Sequence, residues 1–485
     1  MSQLKKETLS GAKWGMLQKL TMQPLQLVYG MVLARLISPE EMGIAGLTAI
    51  FFAVAGQLAN AGFGAALVRK IDRKEADCST MFWFNLGMSF LMGGILFLLA
   101  PWFASFYDQP ELLWLTRVSA IMMFVNSSAS VHWTLYQCRR DFKTPAIVGC
   151  ITSIAGMPLC LGLAWLGWGV WALMWQGVFT SLLSLGIIWC ISPWKPRCIF
   201  SSSSFRELFG FGSKLALSGI LHVFYQNIRT FIIGRFYSPA QLGLYTRGTH
   251  ISTVIPTALE GILNNITYPI LARLQNDDER LCHAYRMYIR TSTLVIAWIS
   301  LAAMALAEPA VKLMYGENWG GCVIFLQIVA LGVAVGHVCG INLSLLMVKG
   351  RSDLFLRLEI IKKSISLAML FYAATISVEA ICWASVIYTH IAIFINCYYT
   401  GKLLGLTWWK QQKDYMPYVI WAAVSCIPAW LCTQTAWHIC VQLAVGGSCA
   451  FVIYFGGLHL YRDSAYAELY STLRGNRWFR WLPAI

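Results

Sequence analysis

Stretches of mainly apolar residues, each long enough to cross a bilayer, follow one another along nearly the whole chain. They run over 14–37, 42–65, 80–104, 113–137, 145–166, 169–192, 211–237, 241–271, 287–307, 322–347, 354–376, 379–401, 416–433 and 437–461. A hydrocarbon core about 30 Å thick takes roughly 20 helical residues. Within it every backbone N–H and C=O must be bonded internally, which leaves helices or closed barrels. No alternating ten-residue strand pattern competes, so a barrel is set aside. The expected fold is an all-α polytopic membrane protein of about 14 transmembrane helices. Only 12% of the 485 residues are charged, and no loop is long enough to hold a soluble domain.

The chain also repeats itself. LARLISPEEMGI at 33–44 lies over IGRFYSPAQLGL at 233–244, with Arg35, Ser38, Pro39 and Gly43 on Arg235, Ser238, Pro239 and Gly243. Upstream, Gly11 and Lys13 find Gly212 and Lys214; downstream, Arg139 and Asp141 correspond to Arg351 and Asp353. Matches in the same order indicate a duplicated membrane bundle. The expected organisation is an N-lobe over 1–200 and a C-lobe over 201–405, six helices each. Two further helices and a tail fill 406–485. Six is even, so both lobes insert in the same sense, and a pseudo-twofold axis along the membrane normal follows. Such halves usually enclose a path.

The net charge of +15 is a topology signal rather than a nucleic-acid footprint. Basic residues gather in alternate loops, as in Arg69/Lys70/Arg73/Lys74, Arg139/Arg140/Lys143, Lys195/Arg197/Arg206, Lys349/Arg351 and Lys410/Lys413. The intervening loops, such as SPEE at 38–41 and YDQPE at 107–111, are neutral or acidic. By the positive-inside rule both termini are expected in the cytoplasm, with the basic loops touching anionic membrane lipids. Lys5 and Lys6 precede no short apolar region with a cleavage site, so the start is read as uncleaved. The 15 cysteines are scattered with no CxxC pair, and neither a disulfide nor a metal is inferred. There is no Gly-rich phosphate loop, GxSxG or HExxH; the chain reads as not an enzyme, without a cofactor.

Ionisable side chains inside membrane helices cost a few kcal/mol, so each needs a reason. Lys214, Ser218, His222, Tyr225 and Arg229 fall at spacings of three and four, on one stripe of the seventh span. Lys19, Gln23 and Gln26 form a shorter stripe on the first span. The eighth offers Arg247 and His250, then Glu260, Asn264 and Thr267. The functional reading is a water-filled cavity between the halves, lined by cations that attract an anionic substrate. Lys19, Gln23, Gln26, Lys214, His222, Tyr225, Arg229, Arg247 and His250 are the candidate substrate-binding residues. Glu260 and His222 are the candidate ion-coupling groups. Plainer readings stand beside these: Lys214 as a snorkelling side chain, His222 and His250 as packing residues, Glu260 as counter-charge to Arg247 or another cation. Arg35, Arg235 and Arg117 read as interfacial anchors.

LSGAKWGMLQKL, LARLISPEEMGIAGL, NAGFGAALVRK at 60–70, FGFGSKLALSGIL and IIGRFYSPAQLGLYTRG resemble bacterial polysaccharide exporters. More narrowly, they are similar to the colanic-acid-type flippases of the multidrug/oligosaccharidyl-lipid/polysaccharide superfamily. The resemblance covers about the first 400 residues. It implies a two-lobe fold whose first, second, seventh and eighth helices line the cavity. The implied substrate is a polyprenyl-diphosphate-linked oligosaccharide repeat unit. It would pass from the cytoplasmic to the periplasmic leaflet of the inner membrane by alternating access, for surface polysaccharide biosynthesis. A polysaccharide polymerase and glycosyltransferases are the candidate protein partners. The chain departs from the family's pattern at Gln226, Asn227, Ile228, Arg229, where Arg229 replaces the usual acid. Two other readings are a lipid-linked peptidoglycan precursor flippase and a cation-drug antiporter; the latter predicts acidic stripes.

Overall fold

The structure is a computed structural model that describes the backbone of 2–60 and 62–475 and the side chains of 14, 18, 21–59, 62–263 and 267–471. The chain divides into two compact units, Met1–Gly243 and Leu244–Ile485. The first holds α1 (Ser2–Leu36), α2 (Pro39–Asn60), α3 (Phe63–Arg69), α4 (Glu75–Phe106), α5 (Glu111–Cys138), α6 (Lys143–Trp165), α7 (Val170–Ile191) and α8 (Ser202–Phe236). The boundary falls in the first turns of α9 (Pro239–Arg273). The second unit continues with α10 (Asp278–Ala305), α11 (Ala307–Tyr315), a 3-10 turn (Glu317–Trp319), α12 (Cys322–Val348) and α13 (Ser352–Ala373). It ends with α14 (Val378–Leu404), α15 (Trp408–Thr433), α16 (Ile439–Leu460) and α17 (Ser464–Gly475).

The chain is an all-α polytopic membrane protein. Each expected span falls on a long helix, but only eleven helices are apolar enough, by length and composition among the described residues, to cross a membrane. The three that fall short are α1, α9 and α13. The span expected at 42–65 is interrupted: α2 ends at Asn60, and α3 begins after Gly62, whose φ of +70° is left-handed. A helix cannot pass through that conformation, and glycine adopts it without the Cβ clash other residues meet. α11 and α17 occupy stretches outside the expected spans.

The duplication shows in the packing. In the first unit α4 packs on α5, α5 on α7 and α6 on α7. In the second, α10 packs on α12, α12 on α14 and α13 on α14, the same scheme one repeat later. The two C-terminal long helices belong to the second unit, with α15 against α10 and α16 against α15. Leu281, Tyr285, Val338, Ile341, Leu345, Ile393 and Tyr415 make a buried cluster there. α8 opens the second sequence half yet packs on α2, α3 and α4 of the first unit. Compact units and sequence halves thus divide at different places, 243/244 and 200/201.

Candidate substrate-binding face

α8 starts on a capped turn, with the Ser204 amide donating to Ser201 Oγ at 3.3 Å. Its buried row of Ser204, Leu208, Gly212 and Ala216 faces the rest of the first unit. A Cβ on Gly212's neighbour Gly62 would overlap the Gly212 carbonyl, so the two backbones touch. One turn beyond Ala216, the Gln57 amide of α2 lies where a Gly219 side chain would be. That packing turns the Lys214 row away from the core. Lys214, Ser218 and His222 are exposed, while Tyr225 and Arg229 are half-buried. Lys214, His222 and Arg229 form no ion pair among the described residues. Gln226 is exposed too, and Asn227 bonds back to its own helix, Nδ2 to Val223 O at 2.8 Å.

On α1, Met22, Leu33 and Ala34 are buried, Leu33 against Cys160 of α6 and Ala172 of α7. Gln23 and Gln26 are exposed beside that row. Lys19 and Asn264 lie outside the residues whose side chains are described. Gln57 is a polar group of this face that sequence reading missed; a lone glutamine in an apolar run has no periodic partner to mark it.

In the second unit, Arg247 is occupied by aromatic rings. Its guanidinium lies 5.7 Å from the Tyr315 ring centre and 6.0 Å from that of Trp319. Such contacts hold a cation by the ring quadrupole. His250, one turn on, is exposed. Glu260 is half-buried against α12; a Cβ on Gly340 would lie 2.8 Å from its Oε1. Thirteen residues, about 20 Å of helix, separate Glu260 from Arg247. The Arg247 cation is therefore answered by Tyr315 and Trp319, and not by Glu260. A further set of charges lies on α13. Lys362, 5% exposed, pairs with Glu359 at 2.6 Å, and Lys363 stands 3.8 Å from the same carboxylate. This cluster was missed because 354–376 was read for its apolar content. The charges at i, i+3 and i+4 were the available signal.

A separate cavity of about 220 Å³ opens among α2, α5 and α7, lined in part by Thr48, Phe52, Ser119, Met122, Asn126 and Met174. None of the expected site residues lines it.

Two of the arginines outside the stripes lie over aromatic rings. Arg235 sits over Phe106 at 4.8 Å, and Arg117 over Phe97 and Trp114 at 4.8 and 5.0 Å.

Comparison with known proteins is consistent with this architecture. The succinoglycan biosynthesis transport protein ExoT of Rhizobium meliloti is 23% identical over 417 residues, 86% of this chain and 82% of that one. The teichuronic acid biosynthesis protein TuaB of Bacillus subtilis is 23% identical over 466 residues, 93% of this chain and 95% of that one. Among solved structures, the lipid II flippase MurJ in an inward closed conformation superposes with a TM-score of 0.71 at 12% identity. That match covers 94% of this chain and 99% of MurJ, and shows a shared fold. The family described as "Polysaccharide biosynthesis protein" matches residues 32–324, more than half of the chain. The chain belongs to that polysaccharide biosynthesis protein family.

Proposed function

We propose that the protein is a flippase of the bacterial inner membrane. It moves a polyprenyl-diphosphate-linked oligosaccharide repeat unit from the cytoplasmic to the periplasmic leaflet by alternating access, for surface polysaccharide assembly. The observation that carries this is the Lys214–His222–Arg229 row of α8, which carries lysine and arginine cations without carboxylate partners among the described residues, in a helix apolar and long enough to cross a membrane. A diphosphate offers the charge that such a row lacks, through charge-assisted and bidentate hydrogen bonds. Gln23, Gln26 and Tyr225 supply neutral donors suited to sugar hydroxyls, and Lys19 would extend the cationic set. Arg247 and His250 would attract the head group from the outer end of α9, with Arg247 held by its rings. Glu260, half-buried against α12, and His222 would take up a coupling ion. The chain needs no nucleotide for this. One charge crossing 100 mV gains about 2.3 kcal/mol, so a doubly charged head leaving a negative interior gains roughly 5 kcal/mol.

The test is Arg229→Ala with Arg229→Lys beside it. Losing a charged hydrogen bond of about 1.5–3 kcal/mol lowers transport about tenfold or more. Surface polymer should fall accordingly, with membrane abundance unchanged and partial return in the lysine variant. Normal display in Arg229→Ala would overturn the assignment. The MurJ-like fold favours a second reading, a lipid-linked peptidoglycan precursor as cargo. Accumulation of that precursor in a deletion strain, instead of an oligosaccharide-linked carrier, would select it.

A further inference from the structure

A second cationic feature, remote in sequence from the α8 row, lies where α10 and α15 meet. Asp414 is wholly buried and is shared by two arginines. Arg286 donates from Nε at 2.8 Å and Nη2 at 2.9 Å; Arg290 donates from Nε at 2.9 Å and Nη2 at 2.5 Å. The arginines stand one helical turn apart and are 40% and 30% exposed. One carboxylate thus fixes two guanidiniums side by side, and one positive charge is left over. Two donors of each guanidinium bond Asp414; the remaining donors have no other hydrogen-bond partner among the described residues.

The nearby acid Asp463 forms no ion pair with either arginine among the described residues. It accepts from Tyr418 Oη at 2.9 Å and from the Tyr466 amide at 2.9 Å, where it caps α17. Lys410 and Lys413 are exposed on the first turns of α15, adding cations on the same rim. The depth is informative. The apolar spans begin near 287 and 416, so Arg286, Arg290 and Asp414 sit where hydrocarbon gives way to head groups. Trp408 and Trp409 begin α15, with Trp409 69% exposed, as aromatic residues do at that level.

We infer that Arg286 and Arg290, held by Asp414 and flanked by Lys410 and Lys413, form a binding site for the phosphate of an anionic phospholipid in the adjoining leaflet. Paired guanidiniums with donors to spare offer a phosphate several charged hydrogen bonds at once, which a single lysine does not. Soluble phosphate is a poorer match, since the tryptophans add apolar surface that only a lipid's acyl chains would use.

The experiment uses the purified full chain in vesicles or nanodiscs. Retained lipids are measured by native mass spectrometry in phosphatidylglycerol against phosphatidylcholine. The wild type should retain phosphatidylglycerol preferentially. Arg286→Gln, Arg290→Gln and Asp414→Asn together remove the net charge without leaving a buried ion unpaired, and should weaken retention about fivefold. Lys410→Gln with Lys413→Gln leaves the buried pairs intact and should weaken it by at least as much, so the test survives misfolding of the triple variant. Equal retention of the two lipids by the wild type, or unchanged retention in both variants, would overturn the site. Selective retention of added polyprenyl diphosphate instead would overturn the phospholipid assignment. Neither result depends on whether the chain transports a glycan.

Discussion

Lys70 joins three segments of the first unit with one ammonium group. It lies 2.9 Å from Asp77 of α4 and 2.8 Å from Glu207 of α8, just beyond the end of α3. Asp77 is 1% exposed and also accepts from the Lys74 amide at 2.8 Å, whereas Glu207 is 59% exposed. The two pairs should therefore differ in worth. Lys70→Met strands a buried carboxylate and should cost about 3 kcal/mol. Glu207→Gln breaks an exposed pair and should cost less than about 1 kcal/mol. Thermal unfolding of the two variants in one detergent measures the difference. The pH window follows from the shift. The hydrogen bond to Glu207, then that to Asp77, holds the Lys70 ammonium above its ordinary 10.5 against the opposing effect of burial. A cation with a raised value stabilises fully below its unfolded value and loses that contribution as pH rises through the folded one. The gap between wild type and Lys70→Met should stay constant through neutral pH and close in alkali as Lys70 loses its proton; it should also narrow in acid, where Asp77, held below its ordinary 3.8, takes one up. Sequence reading placed Lys70 in a basic loop and saw only topology. The lysine's partners are 7 and 137 residues away, and no local pattern reports the second.

At the scale of elements, the duplicated motif was legible because its chemistry is local. Ser38 and Glu41 make a capping box: the Ser38 amide donates to Glu41 Oε2 at 2.8 Å, and the Glu41 amide to Ser38 Oγ at 3.3 Å. Pro39 takes the first helical position, where its missing N–H is harmless. The second copy repeats it, with the Gln241 amide donating to Ser238 Oγ at 3.3 Å and α9 starting on Pro239. What the repeat could not reveal is that its two copies touch. A Cβ on Gly43 would overlap the Pro239 carbonyl, and one on Gly243 would overlap the Pro39 carbonyl. This exchange is reciprocal, as a self-complementary contact requires. The glycines kept at the two matched positions are therefore a contact requirement, not a turn requirement. Gly43→Ala and Gly243→Ala should each cost more than the usual 1–3 kcal/mol of overpacking, since rigid backbone must move. Gly46→Ala, with open space around it, should be near neutral. The double variant should cost less than the sum, because the first substitution already parts the turns. Membrane abundance and melting temperature of the four chains settle it; full additivity would rule out the shared contact. The break at Gly62 was illegible for a related reason. Phe63, Leu67 and Leu208 are buried together, so α3 continues the apolar pattern of α2 while changing direction.

For the whole molecule, the unsettled quantity is how many helices cross the membrane, and the charges decide it. The eleven helices with sufficient apolar content among the described residues are an odd number, which would place the termini on opposite faces. Adding α1, α9 and α13 gives fourteen and the same face. α9 and α13 fall short because they carry polar groups, Arg247 and Glu260 on α9 and Glu359, Lys362 and Lys363 on α13; α1 carries Gln23 and Gln26. Length is not the obstacle. At 1.5 Å per residue the 35 residues of α1 or α9 reach about 50 Å, and the 22 of α13 about 33 Å, against a core of about 30 Å. Nor is the charge on α13 left bare, since Lys362 is buried on Glu359. If α9 stayed on one side, every later loop would invert. Lys349, Arg351, Lys410 and Lys413 would then face outward and violate the positive-inside rule. All three should therefore cross, with both termini in the cytoplasm. Fluorescent-protein fusions after Asn276, after Arg351 and at the C-terminus should all glow, while alkaline phosphatase at the same points should be inactive. Fusions at Asp108 and Ser377 should do the reverse. An active phosphatase after Asn276 together with an active one at Asp108 would mean that α9 does not traverse, and would remove the α9 face from any transport path.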